Sequence, residues 1–212
     1  MPAFINYKAY MDIKTKILET SLELFLQKGC KAVTMDDVSK ENGISKKTLY
    51  ELFKDKSDLL EQCIDFLHCH MIKYAKNMEE ESDNVMSLLF KIHETQSDVI
   101  INLKRNFFKE LKRYYYAIYK KTVEKFMKYH MERTKEYLNK GQREGLIIEN
   151  IDTELVSKII IEISNIIEES ELFSFNTHSR KDLFLEVVIL YFRGIATEKG
   201  REIIDEYITK TN

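Results

Sequence analysis

Lys46 and Lys47, set between the hydroxyls of Ser45 and Thr48 with Tyr50 shortly after, are the residues whose types and spacing most directly suggest a binding chemistry. The first amides of a helix have no partner within it, and its dipole places positive charge at that end, so a helix beginning at Lys46 favours an anion. Two ammonium groups and two hydroxyls at that end suit a phosphate backbone. From Ile44 to Lys56 the lysines 46, 47, 54 and 56 face only Glu51 and Asp55, so this stretch is locally basic within a chain of net charge −2. A polyanion site must therefore be local, because 33 basic residues are balanced by 35 acidic ones. A solvated charged face is the competing explanation for any one Lys-Lys pair.

Helices must position these groups. A single proline, Pro2, and six glycines in 212 residues leave hairpins and glycine-rich phosphate loops without the residues they need, while 44% hydrophobic content is enough for a core. An all-α fold is expected. Ile17, Leu18, Leu22, Leu24 and Phe25 recur at helical spacing from Asp12 to Lys28, and Gly29 follows as a stop. Thr34 with Asp37 resembles a capping box opening a second helix that runs to about Asn42. Gly43 and Ile44 form a turn, and Ser45 caps a third helix, Lys46 to Phe53, with Leu49, Leu52 and Phe53 on its apolar stripe. Lys47, Tyr50 and Glu51 fall on the opposite side. Ser57 is the expected cap of a long fourth helix. The polar stretch 77–84 reads as a helix end and connection. Further helices are expected over 85–104, 107–140, 153–172 and 180–198, with a short tail at 200–209.

The string TMDDVSKENGISKKTLYELFKDKSDLL, from Thr34 to Leu60, resembles the helix-turn-helix of the TetR family of bacterial transcriptional regulators. The resemblance extends upstream through the Phe25-x-x-x-Gly29 ending of helix one, about 45 residues in all. It implies a helix-turn-helix DNA-binding domain at 12–56 and a ligand-binding and dimerisation domain at 57–212. It also implies roles by position. Lys46, Lys47 and Thr48 would meet bases and adjoining phosphates in the major groove, with Ser45 capping the helix that carries them. Tyr50, Lys54 and Lys56 would reach the backbone, and Thr34 would cap while touching phosphate. Leu52 departs from the pattern, since a leucine cannot make the backbone contact made there by tyrosine or histidine. Glu51 is also unusual beside phosphate, although it could accept from a cytosine amino group. The family implication is a regulator, most simply a repressor, that binds a palindromic double-stranded DNA operator as a homodimer. The alternative is a helical small-molecule-binding or interaction module without sequence-specific DNA binding.

In the second half, Ile159, Ile163 and Ile166 give one helix an aliphatic face, and Val188, Tyr191 and Phe192 do the same for the next. Both stand where the resembled family packs its dimer; an intramolecular core explains the same pattern. Phe107, Phe108, Tyr115, Tyr116, Tyr119 and Phe126 could line a pocket for a small, mainly apolar effector, with ordinary packing as the rival reading. Cys63, His68, Cys69 and His70 do not make a metal site: on one helix His68 and His70 diverge by about 200°. No GxSxG, HExxH, Walker or GxGxxG pattern occurs, so neither an enzyme nor a cofactor is expected. An odd set of three cysteines, no signal-peptide h-region and no membrane-length apolar run point to the cytoplasm and to no membrane partner. Residues 1–11 are either a leader ahead of a start at Met11 or an arm that touches the DNA backbone.

Overall fold

The structure, a computed structural model, describes residues 13–94, 98–169 and 179–211; the leader or arm over 1–11 lies outside them. The described residues are organised by helices, and an isolated antiparallel bridge pairs Ile147 with Ala196. The chain forms two compact units, the first from residues up to Met71 together with Asn106–Thr122, the second from Ile72–Arg105 and Val123 onwards. The unit holding the helix-turn-helix therefore takes in more than 12–56: it includes the first four turns of the fourth helix and a segment about fifty residues further along.

In the first unit α1 (Ile13–Lys28) buries Ile17, Leu22, Leu24 and Phe25. It stops at Gly29, whose φ of 86° lies where a side chain would be strained. α2 (Met35–Glu41) packs against both α1 and α3 (Lys46–Leu52). Between α2 and α3 the chain turns through Gly43 at φ 63°, and the amide of Ile44 donates to Ser39 O at 3.0 Å. Val38, Leu49, Phe53, Leu59, Leu60 and Cys63 are fully buried. α4 (Lys56–Glu80) begins one residue before the expected cap: Asp55 Oδ1 accepts the Asp58 amide at 2.9 Å, so Asp55 rather than Ser57 closes its amino end.

α5 (Val85–Glu94), α6 (Asp98–Tyr114) and α7 (Tyr116–Arg143) divide the chain differently from the sequence expectation of helices at 85–104 and 107–140. α6 runs unbroken through 105–107, and the later break falls at Tyr115. That corner contains neither Gly nor Pro, so nothing in the local sequence announces it.

The second unit centres on Val85, Met86, Phe90, Leu138, Leu146, Ile147, Ile189, Phe192 and Ile204. α8 (Thr153–Glu169) packs against a π-helical turn, Phe184–Ile189, which lies between α9 (Arg180–Leu183) and α10 (Leu190–Ile195). The expected 180–198 helix ends at Ile195 because Ala196 turns extended (ψ 146°) and pairs with Ile147. α11 (Glu198–Thr211) packs on α5, with Phe90 stacked on Tyr207 at 3.9 Å. Arg133 joins α7 to the end of α4 by pairing with Glu79, and it also pairs with Glu136.

Candidate nucleic-acid interface

α3 has one face in the core and one in water. Leu49 and Phe53 are fully buried, whereas Lys46, Lys47, Tyr50, Glu51 and Lys54 are exposed, Tyr50 by 52%. Spacings of three and four residues put Lys47, Tyr50 and Glu51 on the outward side, opposite Leu49, while Lys54 follows the extended Phe53 beyond the end of the helix. Lys47 forms no ion pair among the described residues.

Several of the residues singled out from the sequence have partners inside the protein. Lys46 Nζ lies 2.6 Å from Asp36 Oδ1, an exposed pair that a phosphate can compete with at little cost. Ser45 Oγ accepts the Thr48 amide at 3.1 Å and lies 2.9 Å from Thr48 Oγ1. Those two hydroxyls thus cap the helix, and one of the orphan amides expected to hold an anion is already satisfied. Lys54 donates its amide to Asp58 Oδ2 at 2.9 Å and leaves its side chain exposed. Lys56 is half-buried, with its ammonium 3.1 Å from Lys31 O and 5.7 Å from the Tyr115 ring centroid.

Thr34 closes α2 by reciprocal bonds. Its Oγ1 accepts the Asp37 amide at 3.1 Å, while its own amide donates to Asp37 Oδ2 at 2.9 Å. The Thr34 hydroxyl also donates to Asp37 Oδ2 at 2.6 Å. These bonds hold the Asp37 carboxyl below its ordinary pKa, the hydroxyl bond contributing most. A group whose folded pKa is depressed adds stability that is complete above its unfolded value, about 4, and disappears as pH falls through the folded value. Thr34→Ala is expected to cost about 1 kcal/mol at neutral pH and to remove the hydroxyl's share of that pH-dependent component, leaving the share of the residue-34 amide. Chemical denaturation of both proteins between about pH 2 and pH 7 checks it; curves separated by the same amount at every pH would show that the Thr34 hydroxyl contributes nothing through Asp37.

The candidate effector residues fall in both units and the candidate dimer residues in the second. Phe107, Phe108, Tyr115, Tyr116 and Tyr119 belong to the first unit and Phe126 to the second. Phe107 is 1% exposed, its carbonyl accepts from Cys30 Sγ, and its ring meets Phe108 edge-on at 5.4 Å. It is thus a core side chain of the head. Tyr116 is 61% exposed. A surface depression along α11 is lined by Glu202, Asp205, Glu206, Thr209 and Lys210, and none of the six aromatics borders it. Phe192 lies inside the second core with Val188 and Tyr191 packed against it, which removes Phe192 from any surface contact. Ile159 and Ile166 are exposed and Ile163 is half-buried. Leu155 and Leu190, both more than half exposed, extend the apolar surface of this unit; Leu155 stands four residues before Ile159 and carries the same helical spacing that marked the isoleucines.

Among the described residues no helix is long and apolar enough to cross a membrane, and no group of three or more His, Cys, Asp or Glu side chains is placed to hold a metal. Cys30 and Cys63 are buried, and burial pushes the Cys30 thiol up to about 11.

Residues 17–63 match the model of the bacterial regulatory proteins, tetR family. The HTH-type transcriptional regulator YhgD of Bacillus subtilis is 34% identical over 84 residues, 40% of this chain and 40% of that protein. The negative transcriptional regulator IcaR of the biofilm operon icaADBC in Staphylococcus aureus is 30% identical over 83 residues, 37% of this chain and 45% of that one. The matched segments thus cover less than half the length of these relatives. In overall fold the chain resembles TetR-family transcriptional regulators from Cytophaga hutchinsonii (TM-score 0.69, 14% identity, 90% of this chain, 100% of that one) and Agrobacterium tumefaciens (0.67, 14%, 87%, 98%).

Proposed function

Since this chain belongs to the tetR family of bacterial regulatory proteins through its helix-turn-helix head, we propose that it is a ligand-responsive cytoplasmic repressor that binds a palindromic operator as a homodimer. The observation that carries this reading is the α3 geometry: Leu49 and Phe53 fix the helix from within while Lys47 and Tyr50 face outward at its exposed end. A helix so presented fits the major groove, and a twofold dimer spaces two of them about 34 Å apart. Repression is favoured by the role of IcaR as a negative regulator. The effector is a small, mainly apolar molecule bound in the helical body. By linkage it lowers operator affinity by the same factor by which DNA lowers its own.

Gel shift against the DNA upstream of the gene, across several salt concentrations, tests the reading. A discrete complex preferred over random DNA supports it; equal affinity for both favours a helical binding or interaction module, the reading that Leu52 and Glu51 would fit.

Lys47 and Lys56 are expected to divide the work. Lys47→Ala should reduce the preference for the operator by about 1–3 kcal/mol, the range of a base-edge contact. Lys56→Ala should weaken all duplexes alike and lower the salt slope by about 0.9 per protomer. Equal losses from both variants on operator and random DNA would refute that assignment. A thermal melt separates lost contacts from a loosened head, because Lys56 also holds the Lys31 carbonyl.

A further inference from the structure

The helix-turn-helix portion of the first unit is short of positive charge. Residues 13–71 contain nine lysines and no arginine against ten carboxylates. Most of the affinity of a DNA reader comes from neutralised phosphates, so this portion is poorly supplied for its task. Residues 106–122 belong to the same unit and carry Lys109, Lys112, Arg113, Lys120 and Lys121 against Glu110 alone. The net positive charge of the unit therefore comes from the corner between α6 and α7.

That corner is attached to the head at its α1–α2 loop and at the start of α4. Glu110 Oε2 accepts the Lys31 amide at 3.1 Å. Lys31 Nζ stands 4.7 Å from the Tyr114 ring centroid, and the Arg113 guanidinium stands 5.2 Å from the same ring. Lys56 lies over Tyr115, and Lys112 lies over Tyr119 at 5.5 Å. Cation–π contacts hold these side chains in place without neutralising them. Lys31, Lys56, Lys112 and Arg113 form no ion pair among the described residues, whereas Lys121 is paired with Glu61. Four like charges thus gather around three tyrosines, and the one carboxylate of the 106–122 segment is occupied by a backbone amide.

We propose that the α6–α7 corner, through Lys31, Lys112 and Arg113, binds the phosphate backbone of duplex DNA flanking the half-site that α3 reads. This rests on the DNA-binding reading above. The patch is continuous with Lys56, which already occupies a phosphate-contacting position in that reading. Its aromatics are tyrosines engaged by cations, which suits a charged, hydrated backbone better than the interior of a lipid surface.

The full-length Lys112→Gln/Arg113→Gln double variant tests this on two duplexes from the gene's own upstream region. One is trimmed to the shortest fragment that keeps full site preference; the other carries about one helical turn of extra DNA at each end. On the extended duplex the variant is expected to lose about 0.9 in salt slope per missing phosphate contact, roughly 2 per protomer. Site preference, affinity for the trimmed duplex and thermal midpoint stay unchanged, and Lys112→Arg/Arg113→Lys restores the slope. An unchanged slope on the extended duplex overturns the proposal, as does an equal loss on the trimmed one. Unchanged DNA binding with weakened binding to phosphatidylglycerol vesicles reassigns the patch to anionic lipid. A wild-type protein with no site preference at all would instead overturn the operator reading itself.

Discussion

Phe53→Ala is expected to lower unfolding stability by about 3–5 kcal/mol and to abolish the discrete operator complex at temperatures where the wild-type protein forms it. Phe53 is fully buried and closes α3, with its amide donating to Leu49 O at 3.0 Å. Its ring lies beneath Lys14 of α1, whose ammonium is 5.6 Å from the centroid, so truncation empties the space between α1 and α3. Total stabilities of about 5–15 kcal/mol leave little after such a loss. Phe53→Leu, which keeps most of the volume, should cost less than about 1.5 kcal/mol and retain binding. Denaturant titration followed by gel shift checks both variants. A Phe53→Ala protein that unfolds at the wild-type midpoint would mean that α3 is held by something other than this ring, and the outward presentation of Lys47 and Tyr50 would lose its physical basis.

The head was legible because its signals are local. Thr34 and Asp37 are three residues apart and satisfy each other; Gly43 takes the positive φ that its turn demands; Leu49 and Phe53 share a stripe set by helical spacing. Each needs only a few neighbouring residues to be read. The body was legible as helices but not in its divisions. The Tyr115 break carries no glycine or proline, and the end at Ala196 depends on Ile147, forty-nine residues earlier. Periodicity marks an apolar face without saying what covers it. Phe192, expected at an interface, is in the core, while Leu155 and Leu190 are exposed. The same limit applies to charge: Lys46 and Lys56 are cations on any reading, yet the sequence contains no sign that Asp36 and the Lys31 carbonyl would take them up.

A body that dimerises through α8 should fall apart when that face is charged. Leu155, Ile159, Ile163 and Ile166 recur at spacings of three and four residues, and three of them are large apolar side chains more than a third exposed. On the opposite side Ser157 and Ile161 are buried, and Val156 is buried at the edge of the stripe, so the helix is anchored without help from Leu155, Ile159 and Ile166. Covering an exposed isoleucine contributes up to about 1.5–3 kcal/mol, and twofold symmetry doubles every such contribution. Ile159→Lys/Ile166→Lys would place four ammonium groups in the contact. The expected result is a folded monomer with a wild-type thermal midpoint and operator affinity reduced by at least about a hundredfold, because each head then binds its half-site without the effective concentration supplied by its partner. Phe192→Ala gives the contrast: a core residue of the second unit should lower the melting temperature with no direct effect on assembly. Light scattering and gel shift read both variants. A double-lysine protein that remains dimeric and keeps its operator would show that the stripe on α8 faces water and that the two recognition helices are spaced by another surface.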